Sequence, residues 1–385
     1  VRTGMIGERM MGSDLDRRAM LAGLGAFAAL AAAPRFALAE GPVSAEATRL
    51  YERALVFDAN LIPPMQEKFP FPKEMLDTVR QSGVTAIKTS LGGFNNGFAD
   101  TVEEIAFFQR VFEEYPDTYL QVRRHADFAR AKAEKRMGVI LSFESVEMLE
   151  GKVEHIELFR GLGVRVMQLS YNKTSPFATG VLGDPQAGLT DLGRKAVAEM
   201  NAQGVAIDIS HSNETSSIDI VKASTLPVLL THGGCASVYA SPRNKPDTVL
   251  RAVADKGGVV GIYDLPYLAA SPKQPTLDDY MAHMTHALDI CGEDHVGVGS
   301  DSALDAWDTS PAAMAAFEKD EEDRRRAGVA APGEDGRPLY VIGLNSPRRS
   351  EIIADALLRR GYKAGPVEKI LGRNFIDALG RIWHD

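Results

Sequence analysis

Cysteine is almost missing from this chain, with two residues in 385, Cys235 and Cys291. Neither stands in a CxxC or a Cys/His spacing, which excludes zinc-finger and thiol-redox frameworks. Both are read as small buried apolar residues. A basic cluster is missing too. The net charge is −9, so nucleic acid and anionic membrane surfaces are not expected partners. No GxGxxG and no P-loop follows any apolar run, which argues against a doubly wound nucleotide-binding sheet. No internal repeat and no long low-complexity linker interrupts the chain. The apolar stretch from Ala19 to Ala33 is too short to span a bilayer, so no transmembrane span is expected.

What is present is ordinary for a globular protein. Hydrophobic residues make up 45% and charged residues 25%, enough for a sizeable core in one large barrel or two ordinary domains. The first 39 residues read separately. Asp16-Arg17-Arg18 precedes the Ala19–Ala33 stretch, and Ala37-Leu38-Ala39 fits a small-x-small cleavage site. This pattern is that of a twin-arginine signal, so residues 1–39 are expected to direct export to the periplasm or beyond. Residues 40–385 are expected to form one domain.

In that domain, short apolar runs alternate with helix-like segments. Strands are expected at 54–58, 85–89, 138–144, 164–170, 205–210, 228–231, 259–263 and 295–300. Helical periodicity marks 101–114, 153–162, 191–203 and 277–291. Eight strand–helix units specify a (β/α)8 TIM-type barrel, closed by C-terminal helical pieces at 351–359 and 367–379. The charged segment 318–326, with the Gly/Pro-rich stretch to Pro338, reads as a solvated excursion after strand eight.

Barrel enzymes carry their chemistry at the C-terminal ends of the strands. Those ends here are Asp58/Asn60, Lys88, Glu144, Tyr171, His211, His232, Tyr263/Asp264 and Asp301. A lone histidine at a strand end is more often scaffold than ligand. Two on consecutive strands, about 4.8 Å apart, can reach one ion, and Glu144 would complete a three-ligand zinc set with room for water. Asp301 is placed to move a proton between that water and a leaving amine. Gly297 and Gly299 are expected on its face, leaving space for a substrate. Arg243, in the loop after strand six, suits a substrate carboxylate. By alternation Lys88 shares a face with Ala86 and Ser90, next to Asn60.

These residues, in this order, resemble the membrane (renal) dipeptidase family of zinc metallopeptidases. The similarity runs from Leu55 to Trp383. Its most specific parts are Gly188-Leu-Thr-Asp-Leu-Gly, Gly204-Val-Ala-Ile-Asp-Ile-Ser-His211, Pro242-Arg-Asn and His295-Val-Gly-Val-Gly-Ser-Asp301. The resemblance implies a two-zinc (β/α)8 barrel that hydrolyses dipeptides. It makes Glu144 the bridging carboxylate, His211 and His232 the other ligands of the second zinc, Arg243 the carboxylate clamp and Asp301 the acid/base. Strand one departs from the pattern. Where the family has His-x-Asp, the private ligands of the first zinc, this chain has Asn60 and Ile62. Strand four departs as well, with Tyr171 near the place of a histidine that steadies the oxyanion.

The expectation is therefore an exported zinc hydrolase with one Zn2+ at Glu144, His211 and His232. Asp301 would be its proton carrier, Tyr171 or Lys88 would steady the oxyanion, and Arg243 and Asn60 would face the substrate. A small peptide or amide is the expected substrate, and a homodimer is compatible with the sequence. The alternatives are an inert or small-molecule-binding member of the fold, or a lyase or isomerase in which Lys88 does the chemistry.

Overall fold

Eight apolar segments pair side by side into a parallel barrel in a computed structural model, which describes residues 42–92, 97–326, 328, 330 and 336–384. The segment read as a signal, residues 1–39, lies outside the described residues. Strands β1 (Phe57–Asp58), β2 (Leu61–Ile62), β3 (Ala86–Leu91), β4 (Tyr119–Gln121), β5 (Met137–Phe143), β6 (Val164–Gln168), β7 (Ala206–Asp208), β8 (Val228–Gly233), β9 (Val260–Ile262), β10 (Val296–Val298) and β11 (Ser302–Ala303) follow in chain order. The parallel path runs β1-β3-β5-β6-β7-β8-β9-β10. It closes where the Ala59 N–H donates to the Val298 carbonyl at 3.0 Å. Beyond that point β11 pairs in parallel with β2.

All eight expected strands are found, and the segments buried on both faces were the easiest to read. Met137–Phe143 is buried at every position, as a central parallel strand between two helices must be. Three short strands were not anticipated. Two of them, β2 and β11, extend the first and eighth barrel strands past a break. The third, β4, hydrogen-bonds only to the start of β5.

Helices cover the outside: α1 (Ala45–Arg53), α2 (Lys73–Ser82), α3 (Phe98–Glu114), α4 (Ala126–Glu134), α5 (His155–Gly161), α6 (Asp191–Gln203), α7 (Glu214–Ala223), α8 (Asp247–Asp255), α9 (Leu277–Cys291), α10 (Pro311–Arg326), α11 (Arg349–Arg359), α12 (Ala364–Glu368) and α13 (Asn374–Ile382). Local chemistry fixes several starts. Thr190 accepts from Gly193 N at α6, Asn213 from Ser216 N at α7, and Thr276 forms a capping box with Asp279 at α9. Each satisfies amide donors that the first helical turn leaves orphaned. The charged segment after strand eight is helical, as α10, with Phe317 and Glu321 buried. Cys235 and Cys291 are free and buried. No helix among the described residues is long and apolar enough to cross a membrane.

The barrel interior is layered. Its lower layer is apolar, with Phe57, Ala86, Ile140, Val166, Ala206 and Leu229 in one buried cluster. Phe375, the second residue of α13, plugs this end, its ring 5.8 Å from Phe57. A side chain at Gly297 would meet that ring at 2.7 Å, and one at Gly299 would meet the Thr231 carbonyl. These glycines therefore admit the plug and a neighbouring strand. They do not open space for a substrate, as the alternation of strand eight had suggested. Two residues further along each strand, alternation brings Lys88, Ser142, Gln168, Asp208 and Thr231 inward. This buried polar layer supports the site above it.

Candidate metal centre

His211 sits in a turn that Asp208 creates. The Asp208 carboxylate accepts from Ser210 N at 3.1 Å and from the Ser210 hydroxyl at 2.6 Å. Gln168 accepts from His211 N at 3.1 Å, and Asn213 starts α7 two residues later. The ring is therefore fixed from both sides.

His232 reaches the same space by another device. Leu230 pairs with Val260 but Gly233 with Ile262, so the register shifts within β8. Simple alternation would turn His232 away from Thr231, toward the helices. The bulge lets both face the mouth.

The two imidazoles converge. Their Nε2 atoms lie 3.1 Å apart, and the Glu144 carboxylate is 3.9 Å from His211 Nε2. Ligand atoms of all three residues fall within 4.8 Å of one another. Thr231 donates its hydroxyl proton to Asp208 Oδ2 at 2.5 Å, and its oxygen lies 3.0 Å from His232 Nδ1. That Nδ1 must then carry the hydrogen. His211 Nδ1 lies 2.7 Å from Asn172 Oδ1 and donates to it. Both Nε2 atoms are left with lone pairs aimed at one point. Two lone pairs at that separation repel unless a cation lies between them, so this donor set fits a metal ion.

Electrostatics agree with that reading. Burial, with Arg243 beside His211 and Lys88 acting on His232, holds both histidines well below the ordinary imidazole range. Neutral rings are the form that binds metal.

Asn60 occupies the position where the family's first-zinc histidine would stand. Its Nδ2 donates to Glu144 Oε1 at 2.8 Å and to Asp301 Oδ1 at 2.6 Å. Its oxygen instead accepts from Ser90 at 3.4 Å. The amide thus links two carboxylates and offers them no ligand atom. Ile62 is 37% exposed and has no donor atom, so the described residues provide one metal position.

The remaining expected residues are placed as follows. Asp301 lies 3.9 Å from His232 Nε2, with its backbone left-handed at φ 56° and its N–H bound to the Asn60 carbonyl at 2.7 Å. Burial, helped by the Glu144 charge, pushes its carboxyl up to about 8, against the pull of Arg243, Lys88 and Asn60. Arg243 is 1% exposed. It donates to the Ser210 carbonyl at 2.8 Å, while Nη2 lies 3.3 Å from His211 Nε2 and 4.0 Å from Asp301. The Tyr171 ring stacks on His211 with centroids 4.1 Å apart. Lys88 is not at the mouth. It is 1% exposed, 3.8 Å from Asp208 Oδ2, and donates to Ser90 at 3.4 Å. Asp58 accepts from Asn60 N and Ser300 N and clips strands one and eight together.

Three supporting residues escaped the sequence reading: Asp208, Thr231 and Asn172. Inward alternation from Ala206 and Leu229 points to the first two. Nothing local marks Asn172 as the partner of His211.

The comparisons with known proteins point to one family. The family model described as membrane dipeptidase, peptidase family M19, matches residues 46–319. The dipeptidase tcpJ of Claviceps purpurea is 27% identical over 286 residues, covering 74% of this chain and 60% of that protein. An uncharacterized protein in the pqqA 5′ region of Klebsiella pneumoniae is 29% identical over 268 residues, 67% of this chain and 87% of its own. The crystal structure of an amidohydrolase from Pseudomonas aeruginosa superposes with a TM-score of 0.76 at 27% identity, covering 88% of this chain and 99% of that one. The chain belongs to the membrane dipeptidase family, peptidase family M19.

Proposed function

We propose that this protein is an exported, zinc-dependent hydrolase that cleaves a dipeptide or similarly small amide at a single-metal centre. The observation that carries this reading is the pair of Nε2 atoms, 3.1 Å apart, converging beside Glu144. Two neutral imidazoles and one carboxylate form a three-ligand set that leaves a fourth position for the reaction, the usual form of a catalytic zinc site. Bound there, zinc supplies Lewis acidity and lets water ionise near pH 7.

The chain's own residues supply the other functions. Asp301, 3.9 Å from His232 Nε2, takes a proton from the attacking water and returns it to the departing amine. Arg243 fixes the substrate carboxylate by its guanidinium fork. The Tyr171 hydroxyl steadies the developing oxyanion. Asn60 keeps Glu144 and Asp301 in register. Lys88, buried 3.8 Å from Asp208, acts through that carboxylate. The name of the Claviceps relative, a dipeptidase, supports the substrate class.

A panel of dipeptides and acyl-amines, assayed before and after chelation, tests the reading. Hydrolysis should vanish with the metal and return with one equivalent of zinc. Asp301→Asn should retain the metal yet lose roughly 10²–10⁴ in kcat. Activity that survives chelation would contradict it and favour lyase or isomerase chemistry, and a zinc-loaded protein inert to the whole panel would favour a binding role. Export rests on Arg17, Arg18 and the apolar run after them. Replacing both arginines by lysine should leave the chain in the cytoplasm on fractionation; unchanged export would remove that part.

A further inference from the structure

The opposite end of the barrel carries a second concentration of charge that the hydrolytic reading does not use. Arg123 follows β4, Arg160 ends α5, Arg165 lies near the start of β6, and Trp383 and His384 follow α13. Together with Arg124 they line a cleft of about 220 Å³. In a chain with a net charge of −9, four arginines around one small space stand out.

Backbone and amide oxygens tie the cluster together. Arg165, 8% exposed, donates to the backbone carbonyls of Arg123 and Arg160, both at 2.8 Å. It thereby ties the two flanking segments together. Arg123 donates to the Gln121 side-chain oxygen at 3.0 Å and the Leu162 carbonyl at 3.2 Å. Arg160 donates to the Gln203 carbonyl at 3.2 Å. Among the described residues, the guanidiniums of Arg123, Arg124 and Arg160 have no carboxylate within ion-pair distance. A structural arginine cluster would normally be interleaved with acidic side chains, because like charges at short range repel.

A second, independent observation is a set of unmet donors at and beside this cleft. Trp383 is 5% exposed, yet its indole N–H has no hydrogen-bond partner. The same holds for Gln121 Nε2, which lies next to the Arg123 fork at Gly163. A buried indole N–H ordinarily finds an acceptor. Both unmet groups are donors, and the cleft itself is lined by four arginines.

We propose that this cleft is a binding site for a phosphate-type oxyanion, either inorganic phosphate or the phosphoryl group of a small molecule. Such a group offers several acceptor oxygens and up to two negative charges, which suits planar guanidinium forks. The site lies at the N-terminal ends of the strands, away from the metal centre, and does not depend on the hydrolytic reading.

Trp383 is also the reporter. Trp307 is the one other tryptophan in the chain, so the full chain carrying Trp307→Phe has a single indole, at the cleft. Titrating it with inorganic phosphate at fixed ionic strength should give a saturable change in emission. Arg124→Gln and Arg160→Gln, each checked for native circular dichroism, should raise the half-saturation concentration roughly tenfold, the effect of one charge-assisted hydrogen bond. Arg124 is exposed, so its replacement should not impair folding. Three results would overturn the proposal. The first is emission with no saturable change, and the second is the same change produced by chloride. The third is binding only after Asp385→Asn, which would assign the cleft to the chain's own acidic end.

Discussion

Thr231 has a single hydroxyl proton, and donating it to Asp208 decides which nitrogen of His232 faces the metal position. That is the smallest scale at which the site is determined. Removing the hydroxyl leaves the imidazole free to exchange tautomers and to rotate. Thr231→Val should lower zinc affinity by about 10–100-fold while leaving the fold intact, as a competition titration with a chelating dye would measure. An unchanged affinity would mean that the ring is held by packing alone. At this scale the sequence was informative about the three residues that converge and silent about what orients them. Glu144, His211 and His232 were legible because ionisable groups at strand ends are chemically distinctive. Asn172 was not, because the contact with His211 depends on how the loop after β6 folds back.

At the scale of elements, irregularities do the positioning. The register shift in β8 turns His232 inward, and the left-handed residue at Asp301 redirects the chain after β10. Neither appears in an apolar pattern, whereas the buried strands do. The same limit explains the misread glycines of strand eight. The space beside Gly297 is filled by the Phe375 ring from α13, and Gly299 lies against the Thr231 carbonyl, contacts that no local pattern reveals. The loop between β8 and α8 makes a further prediction. Lys245 is buried and donates to the Ser212 carbonyl. Burial, aided by Arg243, brings its amine down to about 7 from 10.5. Between those values the unfolded chain holds a proton that the folded chain lacks. The contribution of this residue to stability therefore rises with pH across that window, by up to about 1.4 kcal/mol per unit. Denaturant unfolding at several pH values should show this slope, and Lys245→Met should flatten it. Equal slopes in the two proteins would show that the amine is not buried uncharged.

Over the whole molecule, one closed sheet separates two chemistries. The C-terminal strand ends gather two imidazoles and two carboxylates, and the N-terminal ends gather arginines. The (β/α)8 architecture was legible throughout, because eight buried parallel strands leave a strong imprint on sequence. The residues at the end of strand one are where this chain departs from the pattern it resembles. The Asn60 amide spans Glu144 and Asp301, and Ile62 offers nothing to a cation. Anomalous diffraction at the zinc edge, from crystals of the zinc-loaded protein, tests this most directly. The account predicts one peak per chain, bounded by Glu144, His211 and His232. A second peak beside Asn60, or no peak between the two histidines, would contradict it.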